Sequence, residues 1–221
     1  MDSYRTEEEQ LEALKRWWKE HGRGALVGVV LALGLGFGWQ FWQKQRHSAA
    51  QDASSIYQQM LLALSGEETQ GAEPAQTLAR RLKASHPGTT YARFAALHLA
   101  RLAVLAGEPE QAEVELRWVL SMARAGDDLP QVATLRLARL LASRGDTDQA
   151  LELLATGSGD YEASYSIARG DIFLQLDREP EALAAYETAL AALDSDAPVP
   201  RTLREKLQYL NARRAAPAEA G

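Results

Sequence analysis

Four histidines, His21, His47, His86 and His98, are the only imidazoles in the chain, and no cysteine accompanies them. No two of the four are spaced as metal ligands, and the sequence contains no His-Glu-x-x-His pair of the kind that holds zinc on a helix. The lack of cysteine removes thiolate ligands, disulfides, a thiol nucleophile and a lipid-modified cysteine anchor together. There is no Gly-x-Ser-x-Gly turn and no glycine loop followed by a phosphate-binding lysine. Gly157-Ser158-Gly159 reads as a loop between helices. His98 lies inside an apolar helical stretch and reads as a structural histidine. The 30 acidic residues are spread over polar faces rather than paired for acid–base work. These residue types point away from an enzyme and from any metal, cofactor or small-molecule substrate. What remains is recognition chemistry, in which charged and apolar side chains are held on a scaffold.

The formal net charge is −6. From Ser48 onward there are 17 Lys and Arg against 24 Asp and Glu, so that part is acidic on its own. Nucleic-acid binders carry a basic face or stripe, and none follows Arg46, so no nucleic-acid partner is expected. Hydrophobic residues make up 46% of the chain, with alanine, leucine, arginine, glutamate and glutamine dominating the second half. Those are strong helix formers. Alternating β-branched or aromatic runs are missing, so the chain is expected to be all-α.

Three phrases align without gaps: Leu97 to Ala112, Leu135 to Ala150 and Ile167 to Ala182. They are 38 and 32 residues apart, which brackets the tetratricopeptide period of about 34. Each reads as helix, tight turn, helix. Gly107 and Gly145 suit a left-handed cap on the first helix, and Asp177 takes that place in the third phrase. Glu108-Pro109, Asp146-Thr147 and Glu179-Pro180 then open the second helix. The third phrase most fully resembles a tetratricopeptide repeat: Ala163, Gly170, Phe173, Ala182, Tyr186 and Ala189 stand where that pattern wants small, small, aromatic, small, aromatic and small residues. Gly170 and Ala182 let the two helices approach while Phe173 and Tyr186 fill the gap. Ala100, Ala112, Ala138 and Ala150 take the small positions of the other repeats, and Leu116 and Leu154 replace the aromatic. Before the repeats, Ala53 to Leu64 and Ala75 to Ala84 read as a further hairpin joined by Ser65 to Pro74. After them, Pro200 to Arg213 reads as a closing helix with Leu203, Leu207 and Leu210 on one face, followed by a tail expected to fray.

The resemblance implies a right-handed solenoid whose concave surface is lined by the first helix of each repeat. Phe94, Leu97, His98 and Arg101 would come from the first, Val132, Arg136 and Arg139 from the second, and Asp171 and Gln175 from the third. Arg101 and Arg139 occupy equivalent positions. One reading is a polar–apolar groove for a partner's segment; the other is ordinary solvated side chains, and the sequence supports the two equally. The groove lacks the basic-and-asparagine pattern by which some relatives clamp a C-terminal carboxylate.

Ahead of this domain, no residue between Arg23 and Lys44 is charged. As a helix those 20 positions cover about 30 Å, the depth of a bilayer's hydrocarbon core. Trp17 and Trp18 flank one end and Trp39, Phe41 and Trp42 the other, as membrane interfaces favour. A buried core helix and a cleaved signal peptide ending near Ser48-Ala49-Ala50 are the alternatives. The run is longer than a signal peptide's apolar region and lies further from those small residues, which favours an uncleaved anchor. Gly24, Gly28, Ala32 and Gly36 form a stripe along which another membrane helix could pack, although glycine is also simply common in such helices. Arg5, Lys15, Arg16, Lys19 and Arg23 precede the segment, and only Lys44 and Arg46 follow closely, so the N-terminus is expected in the cytoplasm. Thr6 and Glu9 form a capping box, and Leu11, Leu14 and Trp18 make one apolar face, so the tail reads as a short amphipathic helix on the membrane surface. Gly22 and Gly24 are expected to bend the chain into the bilayer.

The order of parts divides the chain into a cytoplasmic tail (1–23), a transmembrane helix (24–43), a linker helix and first hairpin (44–92), three repeats (93–199) and a capping helix with a frayed tail (200–221). An acidic tail, Leu14-Lys15-Arg16-Trp17-Trp18, a glycine-rich span ending Gly38-Trp39-Gln40-Phe41-Trp42 and then tetratricopeptide repeats together resemble the YfgM family, ancillary subunits of the bacterial SecYEG translocon. The resemblance implies a single-pass inner-membrane protein with its C-terminal domain in the periplasm. Its partners would be the translocon and the membrane-anchored periplasmic chaperone PpiD, and its role to help exported proteins on to chaperones. No catalytic residues are known for that family. An envelope assembly or structural scaffold unrelated to secretion would use the same architecture.

Overall fold

The computed structural model describes residues 7–65, 72–124, 126–155, 159–193 and 198–215, with some side chains of the first helix left out. The described residues are helical, with no strand among them: α1 Glu7–Leu64, α2 Ala72–Ser85, α3 Thr90–Leu105, α4 Pro109–Ser121, α5 Leu129–Ser143, α6 Thr147–Leu154, α7 Glu162–Gln175, α8 Glu179–Ala191 and α9 Arg201–Ala215. A 3-10 turn at Gly159–Tyr161 precedes α7. The chain divides into two compact units, Met1–Asp52 and Ala53–Gly221.

The second unit is a run of helical hairpins in which each helix packs on the next in sequence, and α5 also packs on α7. The same cap closes the first helix of all three repeats. Gly107, Gly145 and Asp177 have φ of 76°, 90° and 57°. The amide that follows each donates back five residues, from Glu108 to Ala103, Asp146 to Leu141 and Arg178 to Phe173, at 2.8, 3.0 and 2.8 Å. This is the Schellman pattern, which satisfies carbonyls the helix leaves open and turns the chain sharply enough to start an antiparallel partner. The next helices begin at Pro109, Thr147 and Glu179, where proline and acid suit a first turn.

Packing between the helices follows the small and large positions. Ala100, Ala112, Leu116, Ala138, Ala150 and Leu154 lie in one core that runs through the first two repeats and reaches Ala168 and Ile172 of α7. The end of α1 joins α2 and α3 through Ala53, Ile56, Met60, Ala75, Ala79, Leu82, Ala95 and Leu99. In the third repeat Tyr186 is fully buried, and a Cβ placed on Gly170 would fall 2.7 and 2.8 Å from its Cδ1 and Cζ. Helix α9 closes the array by burying Leu203 and Leu210 against Ala182, Leu183, Tyr186 and Ala189, with Leu207 partly buried beside them.

Polar ties hold the layers in register. Arg93 of α3 is buried and ion-paired with Asp127, which fixes the loop before α5. Lys83 of α2 pairs with the buried Glu115 of α4 and lies 4.8 Å from the Trp118 ring centroid. Arg144, capping α5, reaches Glu113 of α4 at 2.6 Å.

The first unit contains most of α1. The bend expected at Gly22 and Gly24 is not there, because α1 is helical through both. Glycine lowers helix propensity by only about 1 kcal/mol, and neither proline nor a competing polar group acts on this stretch. Gly22 instead accommodates the Trp18 indole one turn back, whose atoms would sit 3.3 Å from a Cβ there. Among the described residues no other side chain comes within 4 Å of a Cβ position on Gly24, Gly28 or Gly36, and Ala32 is exposed. Among the described residues no helix is long and apolar enough to cross a membrane. The side chains of 25–27, 29, 30, 41 and 42, which supply much of the apolar run, lie outside them. So do the capping box at Thr6 and Glu9, the side chain of Leu14, the linker 66–71 and the tail 216–221.

Candidate functional site

Helix α5 packs on α4 and α7 but touches α3 less, and a groove of about 490 Å³ lies between α3 and α5. The helical repeat of 3.6 residues explains its lining. Arg101, Val104 and Leu105 are spaced i, i+3, i+4 on α3, and Arg136, Arg139, Leu140 and Ser143 continue the same logic on α5. Leu116 of α4 and Ala100 of α3 form the floor. Val104 and Leu105 are 52% and 70% exposed, which is high for aliphatic side chains of a packed array. The groove thus has apolar walls and an arginine rim.

Of the nine residues expected to line a concave groove, the structure brings Arg101, Arg136 and Arg139 together around this space. Arg136 also reaches across to the Leu97 carbonyl at 3.5 Å. Leu97 is buried in the core, and Phe94 and Val132 pack against it partly covered. His98 sits beside the groove. Its Nε2 lies 3.4 Å from the Tyr57 hydroxyl, and the Tyr57 ring also meets those of Phe94 and Tyr91. Burial, followed by the positive charges of Arg101 and Arg136, holds the His98 imidazole below its ordinary pKa, so it is neutral at pH 7. Tyr57 is shifted upward by burial.

Asp171 and Gln175 are placed elsewhere. Asp171 accepts a 2.6 Å hydrogen bond from the Tyr186 hydroxyl and pairs with Lys206 of α9. Burial and then Asp171 push the Tyr186 pKa far up, which keeps it a hydrogen-bond donor. Gln175 donates to the Ala142 carbonyl at 3.0 Å, tying α7 to α5. The apolar wall of Val104, Leu105, Leu116 and Leu140 was not singled out by sequence reasoning. Its signal was the placement of Val104 and Leu105 one turn beyond Arg101, on the arginine's own face.

The groove offers apolar and cationic contacts to a partner. It holds no nucleophile beside a base, and among the described residues no three His, Asp or Glu side chains gather as metal ligands.

Comparison with known proteins bears on both fold and role. The model of a family described as a tetratricopeptide repeat-like domain matches residues 15–212. A protein of Escherichia coli (strain K12) described as an ancillary SecYEG translocon subunit is 32% identical over 191 residues, covering 86% of this chain and 90% of that protein. The like-named protein of Haemophilus influenzae is 31% identical, covering 83% and 88%. That of Neisseria gonorrhoeae is 29% identical over 216 residues, covering 95% and 100%. The crystal structure of MamA superposes with a TM-score of 0.50 at 13% identity, over 65% of this chain and 79% of that one, a likeness of fold alone.

Proposed function

Because this chain belongs to the tetratricopeptide repeat-like family of ancillary SecYEG translocon subunits (the YfgM family), we propose that it is a non-enzymatic docking module that associates with the translocon. The observation that carries the reading is the α3–α5 groove, whose apolar walls and arginine rim suit a segment of another protein. We further propose that 24–43 anchors the chain once in the bacterial inner membrane, with the N-terminus cytoplasmic and the repeats periplasmic. The support is the uncharged run between Arg23 and Lys44, its tryptophan flanks and the basic residues before it. In that setting Gly24, Gly28, Ala32 and Gly36 would face another membrane helix. The module would then bring newly exported proteins to periplasmic chaperones such as membrane-anchored PpiD.

Photo-crosslinking in intact membranes tests this, with probes at Gly28 and Gly36 in the anchor and at Arg101 and Arg139 in the groove. Crosslinks to translocon or chaperone subunits are the expected outcome and would identify the docking part. Crosslinks only to the chain itself or to cell-wall assembly proteins would sink the reading in favour of an envelope scaffold.

A further inference from the structure

Arg101, Arg139 and Asp171 stand at one position of the aligned repeats, four residues after Leu97, Leu135 and Ile167. In the third repeat the chain fills its own groove position, because α9 follows α7 and α8 and brings Lys206 onto Asp171. The position thus serves as a charge receiver for whatever element comes next against the first helix. In the first two repeats its sign is reversed, and among the described residues no opposite charge meets it. Among the described residues no carboxylate pairs with Arg101, Arg136 or Arg139; Arg80, Arg81, Arg124, Arg204 and Arg214 likewise form no ion pair there, but only the first three line one groove, whereas Arg93, Arg117, Arg144, Arg169, Arg178, Arg201 and Arg213 have acidic partners. Three cations lining one groove, with no carboxylate partner among the described residues, stand out in a chain of net charge −6. Beside them lie the exposed Val104 and Leu105, and the groove volume of about 490 Å³ is ample for a leucine or aromatic side chain.

From this juxtaposition we propose that the α3–α5 groove takes a segment of a partner protein in which glutamate or aspartate side chains flank an apolar anchor. The inference rests on the docking reading above and specifies the occupant. The carboxylates pair with Arg101 and Arg139, with Arg136 also on the α5 side, and the anchor seats on Val104, Leu105, Leu116 and Leu140. Nucleic acid is disfavoured, since the acidic remainder of the domain repels a phosphate backbone.

Fluorescence anisotropy on the full chain in zwitterionic lipid nanodiscs tests this. The probe is a short fluorescein-labelled peptide that intersperses glutamate with leucine, compared with one bearing lysine for glutamate and one bearing serine for leucine. The glutamate–leucine peptide is expected to bind best and to lose about tenfold in affinity or more when Arg101→Glu is combined with Arg139→Glu, while the lysine peptide gains. If the reversed pair melts early by circular dichroism, Arg101→Gln with Arg139→Gln serves, with the same loss expected. No binding of the glutamate–leucine peptide, equal binding of the lysine peptide, or affinity unchanged in either variant would overturn the proposal. The anchor crosslinks separate the two readings. If translocon crosslinks from Gly28 and Gly36 persist while the peptide preference fails, the docking module stands and only its acidic occupant falls.

Discussion

At the scale of single residues, the contact between Gly170 and Tyr186 sets how closely α7 and α8 approach. A methyl group on Gly170 would meet a ring that is fully buried and fixed through its hydroxyl on Asp171, so the ring has nowhere to go. Gly170→Ala is therefore expected to cost about 2–3 kcal/mol, an overpacking penalty, read as a fall in the thermal midpoint. An unchanged midpoint would mean that the helices slide apart freely. His98 allows a pH prediction. Its folded pKa lies below the ordinary 6.5 because burial and two arginines disfavour the imidazolium. Below pH 6.5 the unfolded chain takes up a proton that the folded chain resists. Stability from this group is thus fully present above 6.5 and lost as pH falls toward the lower folded value. His98→Gln is expected to reduce the loss in urea midpoint between about pH 7.5 and 5.5, and equal losses in both proteins would refute that cause. The Gly170–Tyr186 contact was legible beforehand, since a small and a large residue face each other across a predicted hairpin. The buried Arg93–Asp127 pair was not legible, because the two are 34 positions apart and nothing local marks either as buried.

At the scale of elements, the repeated helix–turn–helix unit was legible through its punctuation. Gly107, Gly145 and Asp177 mark turns, and their positive φ and five-residue back-bonds are what those residues suit. The spacing between α3 and α5 was not legible, because it depends on how α4 tilts each hairpin onto the next, which no local pattern encodes. The course of α1 through Gly22 and Gly24 escaped for a similar reason: glycine permits a bend without requiring one. Helix α9 was legible as a cap from Leu203, Leu207 and Leu210, but its second role, supplying Lys206 to Asp171, was not. Leu203 is fully buried, so Leu203→Ala is expected to destabilise the repeats by about 3 kcal/mol, measured as a lower urea midpoint. A loss below about 0.5 kcal/mol would show that α9 is dispensable to the core.

At the scale of the whole molecule, the second unit is a linear array in which helices contact their sequence neighbours. Stability in such an array is a sum of local layers, so damage spreads only a short way. Hydrogen exchange on Leu203→Ala is expected to accelerate in α7, α8 and α9 while α2 and α3 keep their protection; uniform acceleration would instead reveal one cooperative block. The same arrangement makes the α3–α5 gap a mechanical matter as well as a binding one. The first two hairpins are braced chiefly through α4 on α5, because α3 and α5 touch little beside the groove. A wedge seated in the gap would act as a splint. It would add a second brace beside the α4–α5 contact, so that a load borne at one end of the array would reach the other along two lines instead of one.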